Sequence, residues 1–178
     1  MSATPVSVVV VSRGRPEALK RCLTGVAQLA YAQFEVVVVA DPAGVAAIGE
    51  MPFNDQIKIV PFDQANISAA RNLGIANSAG EVVAFVDDDA VPEPGWLFHL
   101  MAAFDDPEVA AAGGYVRGRN GISLQWGAQS VDHRAQTTPL ALDGRTPVVL
   151  HPGPRRAIKT EGTNMAVRRD LLADMGGF

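Results

Sequence analysis

Short runs of β-branched and other apolar residues alternate along the chain with segments whose apolar residues recur at helical spacing. The runs cover residues 6–11, 34–39, 57–60 and 82–86. The run over 82–86 is continuously apolar, which is typical of a strand that is buried on both faces, and the other three are interrupted by a single polar residue each. The segments between them predict helices from Pro16 onward, over 45–50 and over 66–77. The alternation predicts an α/β fold in which helices flank a mainly parallel sheet.

The pattern is less regular in the second half of the chain. It predicts a helix over 96–104, a strand over 109–116, and a last strand leading into a helix over 168–175. Residues 118–158 contain short β-like pieces at 122–126 and 148–150 among many Gly, Pro and Arg residues. We expect this region to form an irregular, partly antiparallel flap over the rim of the sheet. The length predicts a single domain over 1–178.

Composition narrows the class of protein. The 178 residues are 48% hydrophobic and 19% charged, which is typical of a globular chain. The net charge is −4 without a basic run, so we predict no nucleic-acid partner. The single cysteine, Cys22, lies in a predicted helix and fits a buried thiol in a reducing compartment.

Targeting signals are not evident. No apolar run approaches the roughly 20 residues needed to span a bilayer, and the first residues lack the pattern of a signal peptide. We therefore expect a cytoplasmic domain with no membrane span in this chain. Association with a membrane would come through a longer parent protein.

Three consecutive carboxylates, Asp87, Asp88 and Asp89, follow the fourth apolar run. Two such charges about 5 Å apart repel by roughly 3 kcal/mol at an effective dielectric constant near 20. A hard divalent cation would turn this repulsion into coordination, whereas the alternative is a solvated acidic turn. Residues 12–15 and Asp41 follow the first and second runs, and the carboxyl ends of parallel strands lie on one rim. This convergence favours a binding site.

Carboxylates that hold a cation beside arginine residues suit a substrate diphosphate, because the cation can stabilise a leaving nucleoside diphosphate. Dinucleotide binding is disfavoured, since the first run is followed by Gly14 alone and not by Gly-x-Gly-x-x-Gly. A Walker-type phosphate loop is also absent from the sequence. Nucleotidyl transfer onto a sugar phosphate usually needs a glycine-rich loop after the first strand, which residues 12–15 do not supply.

Five segments together resemble the family 2 glycosyltransferases, which have the GT-A fold. They are residues 6–16, 34–41, 70–76, 80–89 and 162–178, in the family's order and at its spacing. The resemblance implies a GT-A, Rossmann-like, mainly parallel sheet with a small antiparallel or irregular flap in the C-terminal third. It also implies that 1–92 form the nucleotide-sugar-binding half and 93–178 the acceptor-side half.

The same resemblance implies an activity. A hexosyltransferase-type enzyme of this family, of the kind used in polysaccharide biosynthesis, would move a sugar with inversion from a UDP-, GDP- or dTDP-linked donor, with Mn²⁺ or Mg²⁺. The acceptor would be a carbohydrate, a lipid-linked molecule or a small molecule. By similarity, Ser12, Arg13, Arg15 and Asp41 would contact the base and ribose. Arg71 would lie near the base or the diphosphate.

The remaining site residues implied by the resemblance come from two segments. Asp87 to Asp89 match the family's Asp-x-Asp motif, with Asp89 as the direct metal ligand and Asp87 as the second candidate. Asp87 or Asp88 would face the ribose or the donor sugar. The segment that lines the donor-sugar and acceptor side matches Gly162, Thr163 and Asn164.

The chain departs from the family pattern in two places. The family often has two acidic residues after the second strand, and here Ala40 takes the first place, before Asp41. An inverting transfer also needs a carboxylate that accepts the acceptor's proton, which we expect beyond Phe178, with Glu161 as a fallback. We therefore expect a truncated chain. The alternatives are a non-catalytic nucleotide-sugar-binding fragment and a sugar nucleotidyltransferase.

Two further features have open interpretations. Trp96 either stacks on an acceptor sugar or packs on the core at the start of its helix. Arg168 and Arg169 serve the final helix, or one of them faces the acceptor.

Overall fold

The computed structural model describes residues 3–126, 128–142 and 148–178. The strands are β1 (Val6–Ser12), β2 (Phe34–Ala40), β3 (Ile57–Pro61), β4 (Val82–Asp87), β5 (Ala111–Gly113), β6 (Val116–Arg117), β7 (Leu124–Trp126), β8 (Gln129–Asp132), β9 (Thr137–Pro139), β10 (Arg156–Lys159) and β11 (Met165–Arg168). The α-helices are α1 (Pro16–Val26), α2 (Pro42–Gly49), α3 (Ile67–Ala76), α4 (Trp96–Met101) and α5 (Arg169–Asp174). Short 3₁₀ helices cover Asn54–Gln56 and Ala102–Asp105.

The central sheet has six strands in the order β3-β2-β1-β4-β11-β5. The pairs β2–β3, β1–β2 and β1–β4 are parallel, whereas β11 runs antiparallel to both β4 and β5. Helices connect the parallel strands, as parallel pairs require. The predicted α/β fold with a mainly parallel sheet is therefore confirmed.

The central strands of the sheet are covered on both faces, which explains why they are mainly apolar. In β1, Val8 and Val10 pack in one core cluster together with residues of α1 and α4. Val9, which points to the opposite face, packs in a second cluster that includes Phe85 and Leu172. Burying a valine or leucine side chain contributes about 1.5–3 kcal/mol, so these strands fix the fold.

The cysteine has the predicted environment. Cys22 on α1 is a free, buried thiol. Burial, followed by the charges of the three nearby aspartates, raises its pKa to about 12. The thiol therefore stays protonated and serves as a small apolar core residue.

The C-terminal half contains the predicted small antiparallel sheets. One has the order β10-β8-β9 and the other is the pair β6–β7. Within the described residues no helix is long and apolar enough to cross a membrane.

Three predicted elements differ from the observed ones. The predicted strand over 109–116 is interrupted at Gly114, where a Cβ atom would lie 2.8 Å from Nδ2 of Asn164. The predicted helix over 96–104 ends its α-helical part at Met101 and continues as a 3₁₀ turn. Residues 148–150, an expected β-like piece, do not form a strand, because apolar residues alone do not supply a pairing partner.

A polar network ties β1, β2 and the turn before β4 together at their amino ends. The buried Ser7 hydroxyl donates to Oε1 of Glu35 at 2.5 Å. The backbone N–H of Ala79 donates to the same oxygen at 2.6 Å, and the N–H of Gly80 donates to the Ser7 oxygen at 2.9 Å. Burial opposes ionisation of Glu35, but the hydrogen bonds from Ser7, Ala79 and Gly80 outweigh it and place the pKa of Glu35 below its ordinary value.

The lowered pKa of Glu35 makes stability depend on pH. A depressed carboxyl pKa stabilises the folded state above the unfolded pKa, and this contribution is lost as the pH falls through the folded value. Glu35→Gln keeps an acceptor oxygen but removes the charge. We expect it to lower the free energy of unfolding by about 1 kcal/mol at pH 7. Urea unfolding should show the difference from wild type shrinking below the ordinary pKa of 4.5.

The exposed Glu108 supplies the control. Glu108→Gln should leave stability unchanged at both ends of the pH range. A loss for Glu35→Gln that stays the same from pH 7 to pH 3 would contradict the role of the charge.

Candidate functional site

The carboxyl ends of β1 and β4 bring Ser12 against the aspartate cluster. Val11 and Asp87 are paired across the two strands, so the residues that follow them lie side by side. The Ser12 hydroxyl donates to Oδ2 of Asp88 at 2.7 Å. Ser12 is 3% exposed and Asp88 0%. A solvated acidic turn is therefore excluded for Asp88.

The three carboxylates are paired with two arginines. Oδ1 of Asp87 lies 3.6 Å from Nη2 of Arg71. Asp88 contacts Ser12 and Arg15, and Oδ2 of Asp89 lies 3.0 Å from Nη1 of Arg15. Across the part of the chain that the structure describes, no three His, Cys, Asp or Glu side chains form a metal-ligand group. The cluster thus offers one or two carboxylates to a cation.

Asp88 has one oxygen without a hydrogen bond. Among the described residues nothing donates to its buried Oδ1, because Nη2 of Arg15, 2.8 Å away, forms an ion contact without hydrogen-bond alignment. Burial raises the pKa of Asp88 against the opposing effects of Ser12 and Arg15. Burial also raises the pKa of Asp87, opposed chiefly by Arg71. Both shifts arise chiefly from burial of the carboxyl groups. Carboxylate oxygens are the ligands that suit Mg²⁺ or Mn²⁺.

Arg71 joins α3 to the segment before β11. Its Nη2 donates to the carbonyl of Gly162 at 3.5 Å. A Cβ atom on Gly162 would lie 2.5 Å from Nη2 of Arg71, so glycine is required for this approach. The hydroxyl of the neighbouring Thr163 accepts a hydrogen bond from the N–H of Asp87 at 3.4 Å. Gly162 and Thr163 are thus brought to the cluster.

The C-terminal residues support Arg71 from the other side. The Arg71 guanidinium lies 5.8 Å from the ring centre of Phe85 and 5.3 Å from that of Phe178. The side-chain amide of Asn72 accepts from the N–H of Phe178 at 2.9 Å and donates to its carbonyl at 3.2 Å. The sequence did not assign a role to Asn72 or Phe178, although both lie in segments that carry the family resemblance.

Asp41 organises the loop after β1. Its Oδ1 accepts from the N–H of Gly44 at 3.0 Å and caps α2, and its Oδ2 accepts from the N–H of Gly14 at 3.0 Å. Gly14 has a φ of +70°, a conformation that favours glycine. Asp41 therefore fixes the loop that carries Arg13 and Arg15, and both of its oxygens are in use.

A cleft of about 290 Å³ opens beside this loop. Its walls come from the ends of β1 and β2, the segment after β3 and the first turn of α3. They include the predicted Ser12, Arg13 and Arg15 together with Phe62, Gln64, Ala65, Asn66 and Ile67. The latter residues were not predicted. Their position after the third apolar run, on the same rim, is the signal that could have found them.

Asn164 is held within the protein. Nε1 of Trp96 donates to its Oδ1 at 2.9 Å, and its Nδ2 donates to the carbonyl of Tyr115 at 3.0 Å. Trp96 also packs against the main core cluster. The structure thus favours the packing interpretation of Trp96, and the amide of Asn164 is occupied.

The other charged candidates are paired. Oε1 of Glu161 lies 3.0 Å from Nζ of Lys159, and the Glu161 side chain is 18% exposed. Arg168 donates to the carbonyls of Phe104, Asp106 and Val109, whereas Arg169 donates to the carbonyl of Gly80. Both arginines therefore anchor the start of α5.

Comparison with known proteins gives a consistent result. A family model described as Glycosyl transferase family 2 matches residues 7–175. The chain is 27% identical over 180 residues to glycosyltransferase AglE of Haloferax volcanii. The aligned region covers 97% of this chain and 55% of AglE. It is 33% identical over 181 residues to the succinoglycan biosynthesis protein ExoM of Rhizobium meliloti, covering 96% of this chain and 54% of ExoM. The chain spans about half the length of both relatives.

A solved structure supports the fold. The mannosyltransferase PcManGT from Pyrobaculum calidifontis, solved in complex with GDP-Man and Mn²⁺, superposes with a TM-score of 0.71 at 21% identity. The match covers 100% of this chain and 48% of PcManGT. The predicted GT-A fold is confirmed.

Proposed function

The chain belongs to glycosyl transferase family 2, and we propose that it transfers a sugar, with inversion and with a divalent cation, from a nucleoside-diphosphate sugar to an acceptor hydroxyl. The observation that carries the proposal is the aspartate cluster with Ser12 and Arg15, set beside the cleft on the carboxyl rim. A hexose is the proposed sugar.

The cleft is proposed to bind the nucleoside part of the donor. Its volume of about 290 Å³ is at the lower end of the range for small-molecule sites, so it suits a base and ribose better than a whole nucleotide sugar. Ser12, Arg13, Arg15 and the Asp41-supported loop would contact this part. In this proposal, residues 1–92 supply most of the donor half-site and 93–178 the acceptor side, with Gly162 in contact with Arg71 and Thr163 in contact with Asp87.

The aspartate cluster is proposed to hold Mn²⁺ or Mg²⁺ with the diphosphate. Asp89 is the main candidate ligand because its side chain is 50% exposed, and Asp87 is the second. A bound cation would neutralise charge that develops on the leaving nucleoside diphosphate. PcManGT was solved with Mn²⁺ and GDP-Man together, which supports this choice of cofactor and donor class.

The proposed displacement needs two contributions from the protein, balancing of charge on the leaving group and acceptance of a proton. As the acceptor oxygen bonds to the anomeric carbon, the bond from that carbon to the diphosphate oxygen breaks and its electron pair leaves with the diphosphate. Arg15 and Arg71 lie beside the aspartates, where they can balance this charge. The proton of the acceptor hydroxyl must pass to a base. Glu161 would first have to separate from Lys159.

A thermal-shift screen tests the proposal. UDP-, GDP- and dTDP-sugars are added with Mn²⁺ at about 100 times their Kd, where binding adds about 2.7 kcal/mol. For a chain of this size we expect one base to raise Tm by roughly 5–10 °C with the cation and much less without it.

The outcomes separate the alternatives. No stabilisation by any nucleoside diphosphate sugar with Mn²⁺ would contradict donor binding altogether. Binding without sugar transfer, even after extension past Phe178, would favour a non-catalytic binding module. Release of pyrophosphate from a nucleoside triphosphate and a sugar phosphate would instead favour a sugar nucleotidyltransferase.

A further inference from the structure

Arg15 is the cationic side chain that bridges two members of the aspartate cluster. Its Nη2 lies 2.8 Å from Oδ1 of Asp88, and its Nη1 donates to Oδ2 of Asp89 at 3.0 Å. One guanidinium therefore balances both carboxylates. The third carboxylate, Asp87, faces Arg71 instead.

Arg15 contacts a carboxylate oxygen, Oδ2 of Asp89, that a cation held by Asp89 could use. Asp88 is 0% exposed and its Oδ2 is taken by Ser12, so its remaining oxygen, Oδ1, is covered by Arg15. A divalent ion bonds carboxylate oxygens at about 2.0–2.2 Å. An ion held by Oδ2 of Asp89 would share that oxygen with Nη1 of Arg15, which lies 3.0 Å from it, and two cations that share one carboxylate oxygen repel each other.

The Arg15 side chain is free to take a second position, toward the cleft. It is 55% exposed, lies next to Gly14 in the loop after β1, and lines the cleft beside the cluster. A diphosphate placed between the cleft and the aspartates would come within reach of the guanidinium, whose planar set of N–H donors suits phosphate oxygens.

We propose that Arg15 is the counter-ion of Asp88 and Asp89 when no divalent cation is bound, and that it moves from Asp89 to the diphosphate when cation and nucleotide bind together. This inference rests on the proposed function. Arg15 opposes binding of the cation alone and favours binding of the cation with nucleoside diphosphate. It thereby acts as a positioning residue that makes the two ligands bind cooperatively.

Arg15→Met should change the two affinities in opposite directions. Met keeps much of the length of the side chain but removes its charge. Mn²⁺ alone should bind about 2- to 5-fold tighter, as expected from losing competition by an exposed ion pair, and the gain should shrink at high salt. GDP or UDP in saturating Mn²⁺ should bind about 10- to 100-fold weaker, because charged hydrogen bonds to phosphate are lost. Free Mn²⁺ is measured by electron paramagnetic resonance and nucleotide affinity by calorimetry.

Two further variants control the experiment. Arg117→Met removes an arginine of similar exposure, 58%, that pairs with Glu93 at 3.1 Å. It changes the net charge equally and should leave Mn²⁺ affinity unchanged. Arg15→Lys keeps the charge and should return Mn²⁺ affinity to the wild-type value, and it remains informative if Arg15→Met fails to fold. Circular dichroism melts establish folding of each variant.

The results separate this inference from the proposed function. Unchanged or weaker Mn²⁺ binding by Arg15→Met overturns the exchange, even when nucleotide binding falls, because Arg15 would then be a simple phosphate ligand. Absence of Mn²⁺ binding by both wild type and variant also overturns it. If Mn²⁺ binds tighter to Arg15→Met but no nucleoside diphosphate binds to wild type, the counter-ion role stands and the proposed donor site fails.

Discussion

Replacing Asp89 with alanine is expected to remove metal-dependent nucleotide binding while the fold is kept. Asp89 lies just past the end of β4, its side chain is 50% exposed, and within the described ranges it forms an ion pair with the exposed Arg15. Exposed pairs of this kind contribute only about 0–1 kcal/mol to stability. Loss of groups that merely support a metal ligand weakens metal affinity by about 10- to 100-fold, so loss of the ligand itself should cost at least about 100-fold.

Calorimetry of GDP and UDP with Mn²⁺ measures this change, and a circular dichroism melt checks the fold. Asp63→Ala is the matched control, because Asp63 is 56% exposed and also pairs with an arginine, Arg13, at 3.0 Å. It should affect metal-dependent binding far less. Wild-type affinity in Asp89→Ala would refute the metal role of this residue.

Gly80→Ala, unlike Asp89→Ala, is expected to lower the stability of the fold strongly. A Cβ atom at Gly80 would lie 2.6 Å from the backbone nitrogen of Ser7 and 2.7 Å from the carbonyl carbon of Val6. These are atoms of β1 in the middle of the sheet, so they cannot move aside as a flexible side chain could. Overpacking of a rigid site costs typically 1–3 kcal/mol, and we expect about 3 kcal/mol here.

Urea unfolding at pH 7 measures the loss for Gly80→Ala. Gly49→Ala is the comparison, because no described residue outside its own helix segment has an atom within 4 Å of a Cβ placed there, and alanine at the end of α2 should stabilise slightly. Equal stability of the two variants would mean that β1 can shift to accept the methyl group, contrary to the packing described.

The four parallel strands were predictable because they are short, mainly apolar runs separated by segments of helical spacing, and β4, which is buried on both faces, is continuously apolar over 82–86. β11 was harder to place. It has four residues, and nothing in Met165–Arg168 indicates that it runs antiparallel between two strands distant in sequence. The interruption at Gly114 depends on the amide of Asn164, fifty residues later, and so cannot be read from local pattern.

The location of the candidate site on the rim of the sheet was predictable, but the contacts between its side chains were not. Carboxyl ends of parallel strands share a rim, which brought Ser12 and the aspartates together. The sequence could not tell which carboxylate is buried, because the alternation of faces ends with β4 at Asp87. Nor could it show that Arg15 bridges Asp88 and Asp89, since that contact depends on a loop fixed by Asp41. The cleft residues Phe62 and Gln64 carry no charge and follow a short strand, so no motif indicated them.

The position of β11 imposes an order on folding during synthesis. The four parallel strands can pair as soon as residue 87 has left the ribosome. β5 cannot join the sheet until residues 165–168 are made, because β11 lies between β4 and β5. At ordinary translation rates of about 5–20 residues per second, one edge of β4 stays open for roughly 4–16 seconds. Open strand edges of apolar sequence recruit other chains, so the nascent protein passes through an interval in which aggregation competes with completion of its sheet.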